Sequence, residues 1–268
     1  MDKNILRNLQ LTELEILKVV DDFCNRHDIK YSLYAGTALG AVRHQGFIPW
    51  DDDVDIVMTR EEFEKFCYEW SKDPIEGYYF QNPNDYSEKI FNINHGKIRK
   101  NNTILLSEGE DLNDGHHGVW IDIFMLDKVK DSFWGKKSIY FWGVVRTVFS
   151  RSEISYNVGS LVKFLFKILN SVPNSFKKKI VSIANKKVQK YKGLSSGYEW
   201  VDLSTITCFK IYFPKVLVEE FSKIKFEDSD FEIFSDCDKL LTLEYGDYMQ
   251  LPPEEERVCK HKPVNIKL

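Results

Sequence analysis

Little in this 268-residue sequence points to covalent or metal stapling. The cysteines are Cys24, Cys67, Cys208, Cys237 and Cys259, an odd set with no two at C-x-x-C spacing. That excludes a zinc ribbon and argues against a disulfide framework; a reducing compartment suits it. Long apolar runs are also missing. The best stretches, Ser138–Val145 and Leu161–Leu169, are short or broken by lysine, well under the ~18 residues of a membrane span. The opening residues, MDKNILRN, contain no apolar signal segment, so the expected location is the cytoplasm, with peripheral contact at the inner face of the cell membrane left open. Repeats and low-complexity tracts are absent. So is a strong excess of either charge: the net value is −4, which gives no support to a nucleic-acid partner.

What is present is ordinary globular material, 43% apolar and 29% charged. A chain of this length buries roughly three quarters of its unfolded surface and needs no staples. The charge is unevenly spread. Residues 131–192 contain thirteen Lys or Arg against two acids, a charge of +11, and the remainder carries −15. An acidic body with a basic insert suggests an anionic partner for the insert.

Periodicity predicts an amphipathic helix over 11–27, with Leu14, Leu17, Val20 and Cys24 inward and Glu13, Glu15, Lys18 and Asp22 on the polar face. A short strand follows at 31–35. Gly36-Thr37 opens a helix through Arg43, and 47–53 is a loop. Strands are expected at 54–58, 78–81, 91–99 and 119–124, and a helix at 60–70. This alternation reads as α/β (α+β), a mixed sheet flanked by helices. Residues 132–150 and 159–192 read as helices, broken at Pro173-Asn174. Weak strand signals return near Tyr212 and over 225–233. A last helix is expected at 236–244, and the tail over 251–263 reads as loop. The expected organisation is a catalytic core over 1–130, a basic helical insert over 131–192, and a C-terminal part over 193–268 that completes the site.

The sharpest local signal is Trp50-Asp51-Asp52-Asp53-Val54-Asp55-Ile56. Four carboxylates in five positions repel one another, and a cation is the usual compensation. In an extended chain Asp53 and Asp55 share one face, about 7 Å apart, while Val54, Ile56 and Met58 take the other. Hard oxygen donors suit Mg²⁺ or Mn²⁺. A solvated acidic turn is the plainer alternative. Gly36-Thr37, at a helix start after a strand, offers backbone N–H groups to an anion, although Thr also serves as an N-cap. Asp122, among apolar neighbours in Val119–Phe124, is a costly lone acid unless paired or metal-bound. It is the candidate third ligand.

These pieces, in this order, resemble the nucleotidyltransferase fold. The fuller stretch YAGTALGAVRHQGFIPWDDDVDI over 34–56 is similar to the signature of the LicD family, which includes bacterial phosphocholine transferases and is related to the fukutin proteins. GVWIDIFMLD over 118–127 and EYGDYMQLPP over 244–253, with His261 beyond, match too. Thr37 stands where relatives often have Gly or Ser. The resemblance is weakest in the basic insert.

It implies a transferase that moves phosphocholine, or a related phospho-alcohol, from a CDP-alcohol to a sugar hydroxyl of a cell-surface glycan precursor (teichoic acid, lipopolysaccharide or capsule), releasing CMP. Asp53, Asp55 and Asp122 would hold Mg²⁺ or Mn²⁺, and Asp122 would take the acceptor proton. Gly36, Thr37, Lys97 and Arg99 would meet phosphate oxygens. Arg43, His44, Trp50, Asp51, Asp52, Tyr245 and His261 would line the substrate or support the site, with Arg43 free to pair with Asp51 or Asp52. Trp50, Tyr245 and Tyr248 are candidates for an aromatic surround of a quaternary ammonium. His95, His116 and His117 flank the Asp122 strand, and adjacency argues against a metal pair at His116-His117. The basic insert, with Lys163 and Lys167 beside Phe164 and Phe166, would touch anionic lipid where a lipid-linked acceptor sits. A metal-dependent glycosyltransferase, a small-molecule nucleotidyltransferase and a non-enzymatic cation-binding module are the competing readings.

Overall fold

The computed structural model describes residues 1–83, 94–107, 112, 115–150, 172–206, 208–259 and 263–268. The chain divides into two compact units. The first comprises residues 1–82, 95–126 and 213–268; the second comprises 83–94 and 127–212.

In the first unit, α1 runs from Lys3 to Arg26 and begins well before residue 11. The reason is a cap: the Asp2 carboxylate accepts from the Asn4 N–H at 2.8 Å, satisfying an end donor. The buried stripe extends back accordingly, through Leu6, Leu9 and Gln10, and it includes Glu13. Glu13 therefore does not lie on the polar face.

β1 is only Ser32–Leu33, because the chain turns at Tyr34 into α2, Ala35–His44. β2 is Asp55–Thr59, so Val54 and Asp53 precede the strand rather than belong to it. Val57 is as buried as Ile56, so both faces of β2 are covered and its apolar run is continuous. α3, Arg60–Lys72, starts on Thr59, whose Oγ1 accepts from the Glu62 N–H at 3.3 Å. It buries Phe63, Phe66 and Trp70 along one stripe.

β3 (Tyr78–Gln81), β4 (Gly96–Lys100) and β6 (Trp120–Lys130) complete the site-bearing sheet, in the order β1-β2-β6-β4-β3. β2 and β6 are parallel; the β1–β2, β4–β6 and β3–β4 pairs are antiparallel. This is the expected mixed sheet flanked by helices. Of the strand expected at 91–99, residues 91–93 lie outside the described residues.

β5, Ile104–Ser107, pairs antiparallel with a strand in the tail, β11, Pro263–Lys267. This last strand begins at the end of the loop-like stretch 251–263 and is specified by a partner about 160 residues away rather than by its own pattern. The weak signal over 225–233 is a hairpin of β9 (Phe221–Phe226) and β10 (Ser229–Phe234), turning at Glu227 with φ +59°. Glu227 ties this hairpin to α1 through Arg7 at 2.5 Å and accepts from the Phe47 N–H at 3.1 Å.

In the second unit, α4 (Phe133–Ser150) packs on α5 (Asn174–Val188). β7 (Tyr198–Asp202) pairs with β6 and with β8 (Tyr212–Pro214). Val129, Ile139, Val188, Val201, Leu203 and Phe209 form the core of this unit. The expected helix at 159–192 is observed from Asn174; residues 151–171, with Lys163, Phe164, Phe166 and Lys167, lie outside the described residues. A short helix α6 (Val216–Glu219) and α7 (Cys237–Tyr245) return to the first unit.

Candidate active site

Three neighbouring strands of the first unit line up three ionisable side chains. Asp55 opens β2, Asp122 is its direct neighbour in the parallel register of β6, and Lys97 is the neighbour of Asp122 in the antiparallel register of β4. Neighbouring strands lie about 4.8 Å apart and paired positions face the same way. The result is a row of carboxylate, carboxylate and ammonium across the sheet.

The backbone of Asp55 is held on both sides. Its N–H donates to Thr37 Oγ1 at 2.8 Å, and its carbonyl accepts from the Tyr34 N–H at 3.0 Å. The Gly-Thr turn and the acidic strand are therefore one unit, and Thr37, 3% exposed, spends its oxygen on the strand. The turn itself is strained. Ala35 has φ +45°, a left-handed backbone that costs a non-glycine residue about 1–2 kcal/mol. Gly36 lies against the acidic loop, where an added Cβ would stand 2.8 Å from Asp51 Oδ2.

Asp122 is fully engaged. Its Oδ1 lies 2.7 Å from Lys97 Nζ and 3.0 Å from His95 Nε2, and its Oδ2 accepts from Trp120 Nε1 at 3.2 Å. Burial acts to raise its carboxyl, but Lys97 and His95 together outweigh burial and hold it well below the usual carboxylate range. Asp55 goes the other way. Burial first, then the charges of Asp53, Asp122 and Asp51, push it well above that range, with Lys97 only partly opposing. Burial also lowers Lys97 against the pull of Asp122. Two adjacent carboxylates are thus split by their surroundings, and Asp122 is a weak base.

Among the described residues, no three His, Cys, Asp or Glu side chains are gathered closely enough to hold a metal ion as they stand. The donor set nevertheless fits one. Asp55 is a buried carboxylate raised by burial and then by the like charges of Asp53, Asp122 and Asp51, and a divalent cation would offset both causes.

The other expected residues spread outward. Arg99 donates to Gln81 Oε1 at 2.9 Å and to the Gly118 carbonyl at 3.1 Å, and its guanidinium sits 4.8 Å from the Trp120 ring centre. Lys97 sits 4.3 Å from the same ring. Arg43 reaches the Tyr248 carbonyl at 2.8 Å and His44 Nε2 at 3.0 Å rather than Asp51 or Asp52. Burial, then Arg43, lowers the His44 imidazole. Trp50 meets the edge of His44 and the guanidinium of Arg257. Tyr248 donates to Asp238 at 2.6 Å and Tyr245 is exposed at the end of α7. Asp52 is 2% exposed. His116 bonds Asn101 and stacks on Tyr79. His261 lies outside the described residues.

Sequence reasoning set His95 beside the Asp122 strand without giving it a role, and it missed Glu13. His95 stands beside Asp122 only because β4 is antiparallel to β6. Glu13 is 1% exposed, and burial, then Asp53, Asp52, Asp51 and Asp55, push its carboxyl well above the usual range. A signal for Glu13 did exist: it lies in helical register with Leu6, Leu9, Gln10 and Leu17 on the buried stripe.

A mixed sheet with carboxylates on adjacent parallel strands, beside a strained turn that opens a helix, is the frame of a nucleotidyltransferase-like enzyme. Comparison with known proteins narrows the class. Residues 28–154 match the family model described as LicD/FKTN/FKRP, nucleotidyltransferase domain. The chain is 31% identical over 271 residues to Lipopolysaccharide cholinephosphotransferase LicD of Haemophilus influenzae, covering 97% of each. It is also 30% identical over 123 residues to an uncharacterized protein of Rickettsia typhi, covering 46% of this chain and 31% of that one. The chain belongs to the LicD family and is an enzyme of that type.

Proposed function

We propose that the protein transfers phosphocholine from CDP-choline to a sugar hydroxyl of a lipopolysaccharide-type glycan, releasing CMP in a Mg²⁺- or Mn²⁺-dependent reaction. The observation that carries this reading is the Asp55–Asp122–Lys97 row in a chain that aligns end to end with a cholinephosphotransferase. A related phospho-alcohol donor, or a teichoic acid or capsule acceptor, would use the same site.

In the reaction the acceptor oxygen bonds to the phosphorus that carries choline, and the bond from that phosphorus to the bridging oxygen breaks. CMP leaves with that oxygen, and the acceptor proton is lost. A divalent cation, when bound, would neutralise charge on the pyrophosphate. Asp53 and Asp55 would hold it. Lys97 would offset charge on the transferred phosphoryl, and the Gly36 N–H, in the first turn of α2, would donate to a phosphate oxygen. Asp122 and His95 then serve to orient Lys97. Phe133 and Trp134 are exposed, with Lys137 over the Phe133 ring, and these side chains would be the ones to touch an anionic membrane. No described helix is long and apolar enough to cross a membrane.

The test is purified protein with CDP-choline, Mg²⁺ and deacylated or intact glycan. CMP and a choline-bearing glycan are expected in equal amounts, both lost in Asp55→Asn and with EDTA. Release of pyrophosphate instead would establish nucleotidyl transfer. No turnover of CDP-choline, with turnover of a nucleotide sugar, would establish a glycosyltransferase.

A further inference from the structure

Glu13 is a buried acid for which the fold alone gives no use. Its Oε2 is enclosed and has no hydrogen-bond partner among the described residues. The charges that bear on it are those of Asp53, Asp52, Asp51 and Asp55, all of one sign. Burying an ionised carboxylate without a cation or donor costs several kcal/mol, and native proteins keep few such groups.

Gln10, one turn earlier on the same stripe, is also buried and donates from Nε2 to the Asp51 carbonyl at 2.9 Å. Gln10 therefore does the work of seating α1 on the acidic loop. Glu13 makes no bond that would hold the helix there. Leu or Met at position 13 would continue the apolar stripe at lower cost, yet the position holds a carboxylate on which the loop's aspartates bear.

We propose that Glu13 is a positioning residue of the cation site, facing the ion that Asp53 and Asp55 would hold and bonding to water in that ion's shell. This rests on the cation-dependent reading above. Magnesium keeps several of its waters when bound by one or two carboxylates, and those waters need acceptors on the protein side. A buried, otherwise unsatisfied carboxylate oxygen is such an acceptor.

The experiment is Mn²⁺ binding to the full chain, followed by electron paramagnetic resonance and by isothermal titration, with no donor and again with CMP. Alongside it goes thermal unfolding in EDTA. Wild type is expected to bind and Asp55→Asn to lose binding. Glu13→Gln is expected to bind about tenfold more weakly, in the range seen for groups that support metal ligands. Its unfolding temperature in EDTA should be no lower than wild type, since a repulsion is removed. Glu13→Met should repeat both results. Equal Mn²⁺ affinity in wild type and Glu13→Gln overturns the proposal while leaving the cation site intact. Absence of binding in wild type, with and without CMP, overturns the cation-dependent reading itself. A Glu13→Gln protein that fails to fold, or unfolds earlier in EDTA, overturns the proposal too, because the carboxylate would then be holding α1.

Discussion

The molecule contains two concentrations of like charge, and they differ in what surrounds them. In the first unit Asp52 and Asp55 are buried, Asp51 and Asp53 are partly so, and α1 adds the buried Glu13. In the second unit Lys179, Lys186, Lys187 and Lys190 stand in water, while Val181, Ala184 and Val188 take the buried face of α5. Exposed charges are screened and cost the fold little. Buried ones shift their own protonation and weaken the fold unless something compensates. A charge cluster read from sequence is informative about chemistry only where the fold encloses it. The lysines give a surface its sign, and the aspartates define a site.

The largest effect that would sharpen this contrast is catalytic. Asp55→Asn should lower CMP release by about a thousandfold or more, the scale expected for loss of preorganised charge stabilisation. Lys186→Glu/Lys187→Glu should change turnover of a soluble acceptor less than about twofold, as surface changes away from a site do. Comparable losses in both would erase the distinction.

The next effect is on stability. A Cβ at Gly40 would stand 2.5 Å from the Gly46 carbonyl oxygen, a backbone atom that cannot swing aside. Gly40→Ala should therefore cost about 1–3 kcal/mol in urea unfolding, as overpacking does. The same substitution at Gly193, which meets nothing within 4 Å, should cost far less.

The third prediction is pH dependence without divalent ions. Asp55 is raised in the folded state, so between the unfolded carboxylate value of about 4 and its folded value the native protein binds more protons than the unfolded one. Stability from this residue is therefore lost as pH rises through that window. Asp55→Asn should gain on wild type in unfolding temperature from pH 4.5 to 7.5 in EDTA; a constant difference would mean the carboxylate is not repelled. Asp122 has the opposite sign. Its depressed carboxyl contributes stability above about pH 4, lost as pH falls through its folded value.

The smallest effect belongs to the lysine face. Lys186→Glu/Lys187→Glu should leave stability within about 0.5 kcal/mol yet weaken co-sedimentation with anionic vesicles about tenfold or more, each basic residue near such a surface being worth about 1 kcal/mol. Unchanged vesicle binding would remove the membrane role and leave α5 a solvated face.

Much of the frame was legible because it is local. Apolar spacing gave the inward stripes of α1 and α3, Gly36-Thr37 marked the start of α2, and the acid run marked the start of a strand. Local pattern also misled. The pattern put the start of β2 at Val54, whereas the strand begins at Asp55, where Thr37 and Tyr34 clamp its backbone. Sequence type put Glu13 on the polar face, whereas its place on the stripe buries it. Arg43 sits near Asp51 in sequence but bonds the Tyr248 carbonyl and His44.

By itself, then, the sequence determined the periodicities, the mixed α/β alternation, the uneven charge and the residue types able to meet phosphate and metal. Only the tertiary structure decided that Asp55, Asp122, Lys97 and His95 meet, that β5 finds β11, and which charged cluster is enclosed. Periodicity acts between residues a few positions apart, and each chain segment carries it alone. Register between distant strands, and the dielectric around a carboxylate, are properties of the assembled fold.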